Sequence, residues 1–398
     1  MNIGIFTDTY YPEVNGVANS AYQLKSELEK RGNTVYVFTV SNPEVKEKEY
    51  HVFRLKSVPF VLLKERRISY YLTKIWINKV KALNLDVIHT QTEFCLGHMG
   101  RKIAKYLNIP LVHTYHTIYE DYTHYLRVPG NQKLKGMVRI LSRKCCDKAD
   151  LVIVPTEKVK KLLSSYGVKR DIVIQPTGVN LSKFERYDKG EIVRLKEKYN
   201  LSDLDHVLLY VGRVSHEKNL MELIDIISQV KEIDLHVKLL IVGDGPDLEK
   251  LKNKLNEDGI EEYVIFAGSV PWEEIENYYA LGDVFVCASN SETQGLTYIE
   301  ALAAGKPILV RKDECLDGIL QDGINGYGYN SNNDFIKYYQ KLFMNMKYRK
   351  IREACINSVN KVSLEAFGET VEGFYKKVCG KNVIGDDKLY EKMHQLSG

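Results

Sequence analysis

Residues 284–300 read VFVCASNSETQGLTYIE and place two acids eight positions apart around a glycine. The apolar run Val284–Ala288 predicts a buried strand, and Gly295 stands where a helix should begin. Glu292 therefore falls in the loop at the carboxyl end of a strand, where open α/β sheets bind ligands. Glu300 follows about one and a half turns into the helix, because each turn takes about 3.6 residues. The free N–H groups at the helix start and the two acids suit a polyhydroxylated ligand that carries phosphate.

Residues 211–220 read VGRVSHEKNL and form a basic loop after another apolar run. Gly212 lets the chain turn, and Arg213 and Lys218 bracket the turn into the next helix. The planar fork of an arginine and the mobile charge of a lysine together suit a diphosphate, whose oxygens need donors at several angles. Either loop alone also fits a solvated surface, where most charged residues lie. Their shared position after apolar strands favours one site that uses both.

Both halves of the chain alternate short apolar runs with amphipathic helical patterns, which is typical of parallel α/β sheets. The strand candidates of the first half are Ile3–Phe6, Val35–Thr39, Val87–Thr90, Leu111–Thr114, Leu151–Val154 and Ile172–Ile174. Those of the second half are Val207–Val211, Val237–Val242, Val264–Ala267, Val284–Cys287 and Ile308–Val310. We therefore predict the α/β class with two Rossmann-like domains, residues 1–180 and 200–365, and a segment of about 366–398 that packs back onto the first domain. The linker is placed at Pro176–Asn180 and in the polar run Ser182–Asn200.

The composition is that of a globular protein, with 398 residues of which 44% are hydrophobic and 27% charged. Apolar runs are far shorter than the roughly 18–20 residues of a membrane span, and the N-terminus lacks the pattern of a secretory signal. Seven cysteines without a CxxC pair predict neither a disulfide framework nor a structural zinc site. We therefore expect the reduced compartment of the cytoplasm and no transmembrane segment.

The net charge of +4 conceals an uneven distribution along the chain. Residues 1–178 carry 28 Lys and Arg against 16 Asp and Glu, whereas the remainder carries 28 against 36. Basic and apolar side chains are interleaved in Phe53–Lys81 and Lys133–Lys148, a pattern that can lie on anionic bilayers without spanning them. Each basic residue near such a surface contributes about 1 kcal/mol. The same pattern also fits a solvated helix face that packs on its own core.

Two loops of the first half add candidate contacts. Residues 12–17 read PEVNGV, and Gly16 opens a helix whose N–H groups can approach a phosphate, although most such helix ends bind only water. Residues 113–125 read HTYHTIYEDYTHY, which is unusually polar and aromatic for the end of a strand. Because histidine can donate, accept or carry charge near neutral pH, we place His116 near the reaction centre. In the second half, Gly243–Pro246 is a weaker candidate, since it is also a common structural turn.

Other ligand classes lack their motifs in this sequence. No GxGxxG follows the first strand candidate, which disfavours a dinucleotide-dependent dehydrogenase. No Walker A loop is present, which disfavours a nucleotide-hydrolysing motor. Asp203 and Asp205 precede a strand rather than follow one, so we interpret them as surface polarity and expect no metal site.

The order and separation of the basic loop and the two acids resemble the retaining family-four glycosyltransferases, and the resemblance covers nearly the whole chain. It implies the GT-B fold, in which two Rossmann-like domains with parallel sheets face a central cleft. Arg213 and Lys218 would hold the donor's diphosphate, Glu300 the ribose hydroxyls, and Glu292 the sugar. The implied donor-binding residues are Gly16, Arg213, Lys218, Glu292, Gly295, Leu296, Thr297 and Glu300, and the implied catalytic residues are His116, Arg213, Lys218 and Glu292.

Finer motifs are similar to those of the bacterial 1,2-diacylglycerol 3-glucosyltransferases. Gln294 stands where many members of the wider family have Phe, and the stretches 292–298, 113–125 and 90–94 match this subgroup. The resemblance implies transfer of a hexose, expected to be glucose, from a UDP-sugar to the 3-hydroxyl of diacylglycerol. It implies no cofactor or metal, and a peripheral position at the cytoplasmic face of the membrane. The candidate acceptor and membrane residues are Lys64, Arg66, Arg67, Trp76, Tyr119, Tyr122, His124, Tyr125, Arg139 and Arg143.

Three alternatives remain open from the sequence. A related transferase could act on a soluble or polyprenyl-linked glycan, and a hydrolase or phosphorylase could use the same scaffold. A non-enzymatic binder of nucleotide sugars or nucleic acids fits the basic first half, although no base-stacking motif is evident. The choice among glucose, galactose and glucuronic acid depends on a few pocket contacts that the motifs do not specify.

Overall fold

The computed structural model of the chain describes residues 1–13, 15–60, 63–69, 73–121, 131–344 and 348–380. The chain divides into two compact units. The first unit comprises Met1–Gly178 and the C-terminal segment from Leu364, and the second comprises Val179–Ser363.

Within its described residues, the first unit contains a seven-stranded parallel sheet and a separate two-stranded hairpin. The strands are β1 (Asn2–Phe6), β2 (Thr34–Val40), β3 (Val52–Leu55), β4 (Ser57–Phe60), β5 (Leu63–Ser69), β6 (Val87–Thr90), β7 (Leu111–Thr114), β8 (Leu151–Val154) and β9 (Ile172–Ile174). The helices between them are α1 (Gly16–Lys30), α2 (Thr73–Lys81), α3 (Cys95–Leu107), α4 (Asn131–Cys146) and α5 (Glu157–Ser165). The order across the sheet is β3-β2-β1-β6-β7-β8-β9, and β4 pairs with β5. The loops that leave β1, β6 and β7 therefore begin side by side at one edge.

In the described part of the second unit, a six-stranded parallel sheet has the order β12-β11-β10-β13-β14-β15. Its strands are β10 (His206–Val211), β11 (Val237–Val242), β12 (Val264–Gly268), β13 (Val284–Cys287), β14 (Ile308–Arg311) and β15 (Gly326–Tyr329). Its helices are α6 (Leu181–Glu185), α7 (Lys189–Lys198), α8 (Leu220–Val230), α9 (Leu248–Asp258), α10 (Ile275–Leu281), α11 (Leu296–Ala303), α12 (Asn332–Met344) and α13 (Tyr348–Ser358). The strand order reverses between β10 and β13, which is the switch point where doubly wound sheets bind ligands.

The last helix, α14 (Leu364–Val378), returns to the first unit and packs on α1. Its residues Phe367 and Val371 are buried in the core that β1 and α1 also line. At the end of α1, Arg31 Nε lies 2.9 Å from a carboxylate oxygen of Glu372. The helices approach so closely that a Cβ on Gly368 would lie 2.3 Å from the side chain of Glu27. Both apolar packing and an ion pair therefore attach α14 to the first unit.

Two regions differ from what the sequence patterns predict. The polar run Ser182–Asn200, assigned to the linker, forms α6 and α7 because Phe184 and Leu195 supply buried anchors among charged neighbours. The basic region Phe53–Lys81 contains the end of β3, the β4–β5 hairpin and α2, so it is mainly a sheet edge and a hairpin. These strands have no continuous apolar run, because a hairpin buries only one face and carries charged side chains on the other.

Candidate active site

The loop that follows β10 is held by the loop that follows β11. Val214 is fully buried, and its N–H donates to the carbonyl of Asp244 at 3.0 Å. The two loops approach so closely that a Cβ on Gly243 would lie 1.9 Å from the carbonyl oxygen of Gly212. Only glycine fits at position 243, so the turn Gly243–Pro246, a weaker candidate in the sequence, lets the two loops approach each other.

Hydrogen bonds at both ends position the basic residues of this loop. The buried hydroxyl of Tyr210 donates to the carbonyl of Arg213 at 2.8 Å, and the Arg213 side chain is half-buried. Beyond it, a short 3-10 helix, His216–Lys218, precedes α8. The carbonyl of Glu217 in that turn accepts from Ser289 Oγ at 3.3 Å. Since Ser289 follows β13, the two loops at the switch point are joined directly.

The basic loop and the acidic loop meet through an ion pair. Lys218 Nζ lies 2.5 Å from Glu292 Oε1, although the residues are 74 positions apart in the chain. The side chains are 21% and 13% exposed, so both charges are largely withdrawn from water. Burying charges costs free energy that a close partner offsets, so removal of either partner is destabilising. The structure thus brings together two of the residues that the sequence singled out.

Gly295 turns the chain from the acidic loop into α11. Its φ of +73° lies in the left-handed region, and a Cβ there would lie 2.3 Å from the ring of Tyr298. The first N–H groups of a helix have no partner within the helix. Leu296 and Thr297 are the first two residues of α11, as the sequence predicts. Gln294 is buried at 4% exposure.

Glu300 lies on α11 with its side chain almost fully covered, at 6% exposure. Tyr279 on α10 donates its hydroxyl to Glu300 Oε2 at 2.7 Å. Burial raises the pKa of Glu300 to about 7, against the opposing effects of the Tyr279 hydrogen bond and the charge of Lys183. The acid is therefore a mixture of protonated and ionised forms at neutral pH. Tyr279 was missed by the sequence reasoning, because an isolated tyrosine in a helix carries no motif.

In the first unit, Gly16 is the first residue of α1, as predicted. Asn15 caps this helix by accepting from the N–H of Ala18 at 2.9 Å. The same side chain donates to Thr9 Oγ1 at 2.7 Å, and Thr9 donates to Glu13 at 2.6 Å. A polar network thus holds the β1–α1 loop and orients the start of α1.

His116 follows β7 and bonds to a residue that follows β6. Its Nε2 lies 2.5 Å from Gln91 Oε1, and the imidazole is half-buried. Burial lowers the pKa of His116 to about 3, and the neighbouring His113 lowers the pKa further. His116 is therefore a neutral imidazole at physiological pH. With Gln91 accepting at Nε2, the proton resides there and Nδ1 is left as an acceptor.

A buried acid lies beside His113, which precedes His116 by three residues. Glu93 is 4% exposed, and Tyr119 donates its hydroxyl to Glu93 Oε2. His113 Nε2 lies 3.3 Å from Glu93 Oε1. Gln91 and Glu93 lie in the stretch 90–94, which the sequence indicates only through its resemblance to a subgroup of the family. The structure adds that these two side chains organise His116 and Tyr119.

Comparisons with known proteins identify the family to which the chain belongs. The family model described as Glycosyltransferase Family 4 matches residues 14–183, and the one described as Glycosyl transferases group 1 matches residues 192–361. The alpha-monoglucosyldiacylglycerol synthase of Streptococcus pneumoniae is 39% identical over 381 residues, which cover 94% of this chain and 85% of that protein. A protein of the same name from Acholeplasma laidlawii is 33% identical over 395 residues, 96% of this chain and 98% of that one. The chain is a family-four glycosyltransferase.

Solved structures of low sequence identity share the fold of this glycosyltransferase. Anabaena HepE in complex with UDP-glucose matches with a TM-score of 0.76 at 16% identity, over 95% of this chain and 100% of that chain. A sucrose-phosphate synthase from Thermosynechococcus elongatus matches with a TM-score of 0.74 at 20% identity, over 96% and 100% of the two chains. The GT-B prediction is confirmed, and so is the resemblance to the diacylglycerol glucosyltransferases.

Several predicted acceptor and membrane residues of the glycosyltransferase have partners within the first unit. Arg67 donates to the hydroxyl and the carbonyl of Ser57, both at 2.8 Å, across the β4–β5 hairpin. Trp76 packs edge-on against Phe38 and Phe53 at ring distances of 6.0 and 6.2 Å, so its ring belongs to the core margin. Arg139 forms a two-pronged bond with Glu120 at 2.7 and 3.0 Å.

Of the other predicted acceptor and membrane residues, Arg143 is described with its side chain and five are not. Arg143 is half-buried beside Gly167, where a Cβ would lie 3.7 Å from its guanidinium. Lys64 and Arg66 belong to β5, but their side chains lie outside the described part of the chain, as do Tyr122, His124 and Tyr125.

Among the helices of the described residues, none combines the length and the apolar character that crossing a bilayer requires. The described part of the chain also contains no group of three or more His, Cys, Asp or Glu side chains that could bind a metal ion.

Proposed function

We propose that the protein transfers a hexose, in the first instance glucose, from a UDP-sugar to the 3-hydroxyl of 1,2-diacylglycerol at a membrane surface. The observation that carries the proposal is the Lys218–Glu292 pair, which joins a phosphate-binding type of loop to a sugar-binding type of loop at the switch point. Two relatives named alpha-monoglucosyldiacylglycerol synthase, at 39% and 33% identity, support the choice of acceptor. The UDP-glucose complex of Anabaena HepE, which shares the fold, supports the choice of donor.

In the second unit, Arg213 and Lys218 would hold the diphosphate of the donor. Lys218 is already aimed into the switch point by its bond to Glu292, so a phosphate needs only to exchange with that carboxylate. Glu292, once released, would accept from hydroxyls of the sugar, beside the backbone N–H groups of Leu296 and Thr297. Glu300 would accept from the ribose hydroxyls.

The proposed chemistry retains the configuration at the anomeric carbon. The acceptor oxygen forms a bond to that carbon on the face from which the diphosphate departs, and the carbon–phosphate oxygen bond breaks with its electron pair going to UDP. The proton of the acceptor hydroxyl passes to the departing phosphate oxygen, so the step needs no separate base. Charge grows on the phosphate as the bond breaks, and preorganised cations stabilise charge where it develops.

In the first unit, His116 would contact the transferred sugar and Gly16 would let backbone approach a phosphate. A neutral His116, held by Gln91 through Nε2, presents Nδ1 as an acceptor for a sugar or lipid hydroxyl. The hydrogen bond between Glu93 and Tyr119 would hold the segment after β7 in place. These roles rest on the resemblance together with the contacts inside this unit.

The membrane contact would involve the outer face of α4. Met137, Ile140 and Leu141 are 66%, 48% and 46% exposed, and they follow the helical spacing of one face. Lys133 and Lys144 are exposed on the same helix. Apolar side chains flanked by lysines fit an anionic bilayer, which attracts each basic residue with about 1 kcal/mol.

The test is an assay with purified protein, diacylglycerol in anionic micelles and a panel of labelled nucleotide sugars. We expect a glycolipid product from a UDP-hexose, with the α configuration when its anomeric proton is examined by NMR. Formation of a product only from a soluble or polyprenyl-linked acceptor, or release of free sugar without lipid, would contradict the proposal.

A further inference from the structure

A buried tyrosine holds one oxygen of Glu300. Tyr279 is fully buried, and its hydroxyl donates to Glu300 Oε2 at 2.7 Å and lies 3.4 Å from the carbonyl of Thr297. The ring is therefore fixed against the first turn of α11. Within the described residues, no hydrogen bond reaches the other oxygen, Oε1. A carboxylate with one oxygen held and one open is arranged to accept from a ligand.

We infer that Tyr279 is a positioning residue for nucleotide binding, whose hydroxyl holds the Glu300 carboxylate so that Oε1 accepts from a ribose hydroxyl. The inference rests on the proposed function, which places the ribose at Glu300. It assigns a task to a residue that no sequence motif included. It also explains why a tyrosine, with a polar group to satisfy, occupies the fully buried position on α10.

The elements that pack against α11 carry the charged groups near Glu300. Lys183 on α6 stabilises the ionised acid, and its Nζ lies 2.9 Å from Glu276 on α10. On α13, Arg352 packs at the far end of α11, where a Cβ on Gly305 would lie 2.6 Å from its Cγ. On β14, Arg311 pairs with Glu222 at 2.5 Å. The Tyr279 hydroxyl is therefore the direct hydrogen bond that favours the carboxylate form.

The direction of the expected pH effect follows from these contacts. The ionised form of Glu300 is the one that accepts from a ribose hydroxyl, so nucleotide affinity rises as pH rises through the pKa of about 7. Loss of the Tyr279 hydroxyl removes a bond that lowers this pKa, so the midpoint moves to higher pH. At pH 7 the affinity falls roughly fivefold if the pKa rises by about one unit, because the ionised fraction falls by that factor.

The experiment measures the dissociation constant of UDP-glucose by calorimetry between pH 5.5 and 9. UDP-glucose is used because the terminal phosphate of UDP titrates near pH 6 and the diphosphate of the sugar nucleotide does not. Tyr279→Phe is compared with Tyr278→Phe, a matched control on the same helix. Tyr278 is 5% exposed, and its hydroxyl faces that of Tyr199 at 3.4 Å. Glu300→Gln removes the titration of Glu300 and leaves that of the other groups.

We expect a raised midpoint in Tyr279→Phe, the wild-type midpoint in Tyr278→Phe, and no midpoint near 7 in Glu300→Gln. If Tyr279→Phe lowers the melting temperature and keeps the wild-type midpoint, its role is structural and the inference is overturned, while the proposed function stands. If wild-type protein binds no UDP-glucose at any pH, or Glu300→Gln leaves binding unchanged, the assignment of the nucleotide site is overturned together with the inference.

Discussion

Lys218 and Glu292 form an ion pair at 2.5 Å, and we propose that each binds a different part of the donor. Lys218→Ala removes the cation proposed to stabilise the leaving diphosphate. We expect kcat to fall because the activation free energy rises by about 2–4 kcal/mol, as it does when other oxyanion stabilisers are removed. Steady-state kinetics with saturating UDP-sugar measures the effect, and near-normal turnover would contradict the role.

The ion pair also contributes to folding, so stability must be separated from catalysis. Lys218→Ala removes one charge of the pair and leaves Glu292 largely covered, whereas Lys218→Ala combined with Glu292→Gln removes both charges. The double variant should regain melting temperature relative to Lys218→Ala. Turnover that returns with the melting temperature would show that Lys218 acts through folding alone.

Glu300 predicts a pH-dependent conflict between stability and binding. Its pKa is raised in the folded protein to about 7 from 4.5, so the folded state holds the proton more tightly than the unfolded chain. Folding stability from this group is therefore greatest below about pH 4.5 and falls as pH rises through 7. Glu300→Gln, which cannot ionise, should be more stable than wild type at pH 8 by up to about 3 kcal/mol.

Thermal unfolding of both proteins from pH 5 to pH 8 tests this expectation. The advantage of Glu300→Gln should shrink steadily towards pH 5, where the wild-type acid is protonated in the folded protein. A constant difference across the range would mean that the substitution acts through packing. Loss of donor binding in the more stable variant would show that the burial of this acid serves the ligand.

At the level of elements, apolar runs predict the central strands and the edge strands β9 and β12, but they miss the edge strands β3 and β15. Val237–Val242 and Val284–Cys287 were predicted with their observed bounds, because strands covered on both faces read as continuous Val, Ile and Leu. β15, which reads GYGY, was missed because glycine is depleted in strands. The acidic and basic loops could be placed from the sequence, since each follows a central strand.

Gly295 tests how strictly α11 depends on its entry turn. With φ at +73° and the Tyr298 ring 2.3 Å from the site of a Cβ, Gly295→Ala is strained both in the backbone and by a clash. We expect a loss of about 1–3 kcal/mol in the free energy of unfolding, measured with denaturant. Gly373→Ala in α14 is the matched control, because nothing lies within 4 Å of its Cβ position and alanine favours a helix interior. Equal stability of the two variants would contradict the structural reason for this glycine.

The exposed face of α4 predicts a measurable membrane affinity. Met137→Ser with Ile140→Ser removes two of its exposed apolar groups and leaves every charge unchanged. We expect weaker flotation with anionic vesicles, because insertion depends on buried apolar area. Val193→Ser on α7, at 57% exposure, is the control that changes an exposed apolar group in the other unit. Equal flotation of the α4 variant and wild type would assign membrane contact to another surface.

At the scale of the whole molecule, the sequence predicts two domains because the strand pattern restarts near residue 206. It also predicts that the C-terminal segment packs on the first domain, but not which helix it contacts there, since an amphipathic pattern does not specify the partner of its apolar face. Tyr279 was missed for the same reason: its value lies in one contact to Glu300, 21 positions away, and not in a local pattern. Motifs report the residues that touch a ligand, whereas their supports emerge only from packing.

The returning helix makes a prediction about how the molecule unfolds. Phe367 of α14 is 5% exposed in the core of the first unit, so Phe367→Ala should cost about 3–5 kcal/mol there. Because the chain divides into two compact units, calorimetry should resolve two transitions, and only one should move. UDP-glucose at 100 times its dissociation constant should raise the midpoint temperature of the other transition, because its binding stabilises the folded unit by about 2.7 kcal/mol. Glu369→Ala, an exposed change on the same helix, should move neither. If Phe367→Ala lowered the ligand-responsive transition instead, α14 would contribute its stability to the nucleotide-binding unit.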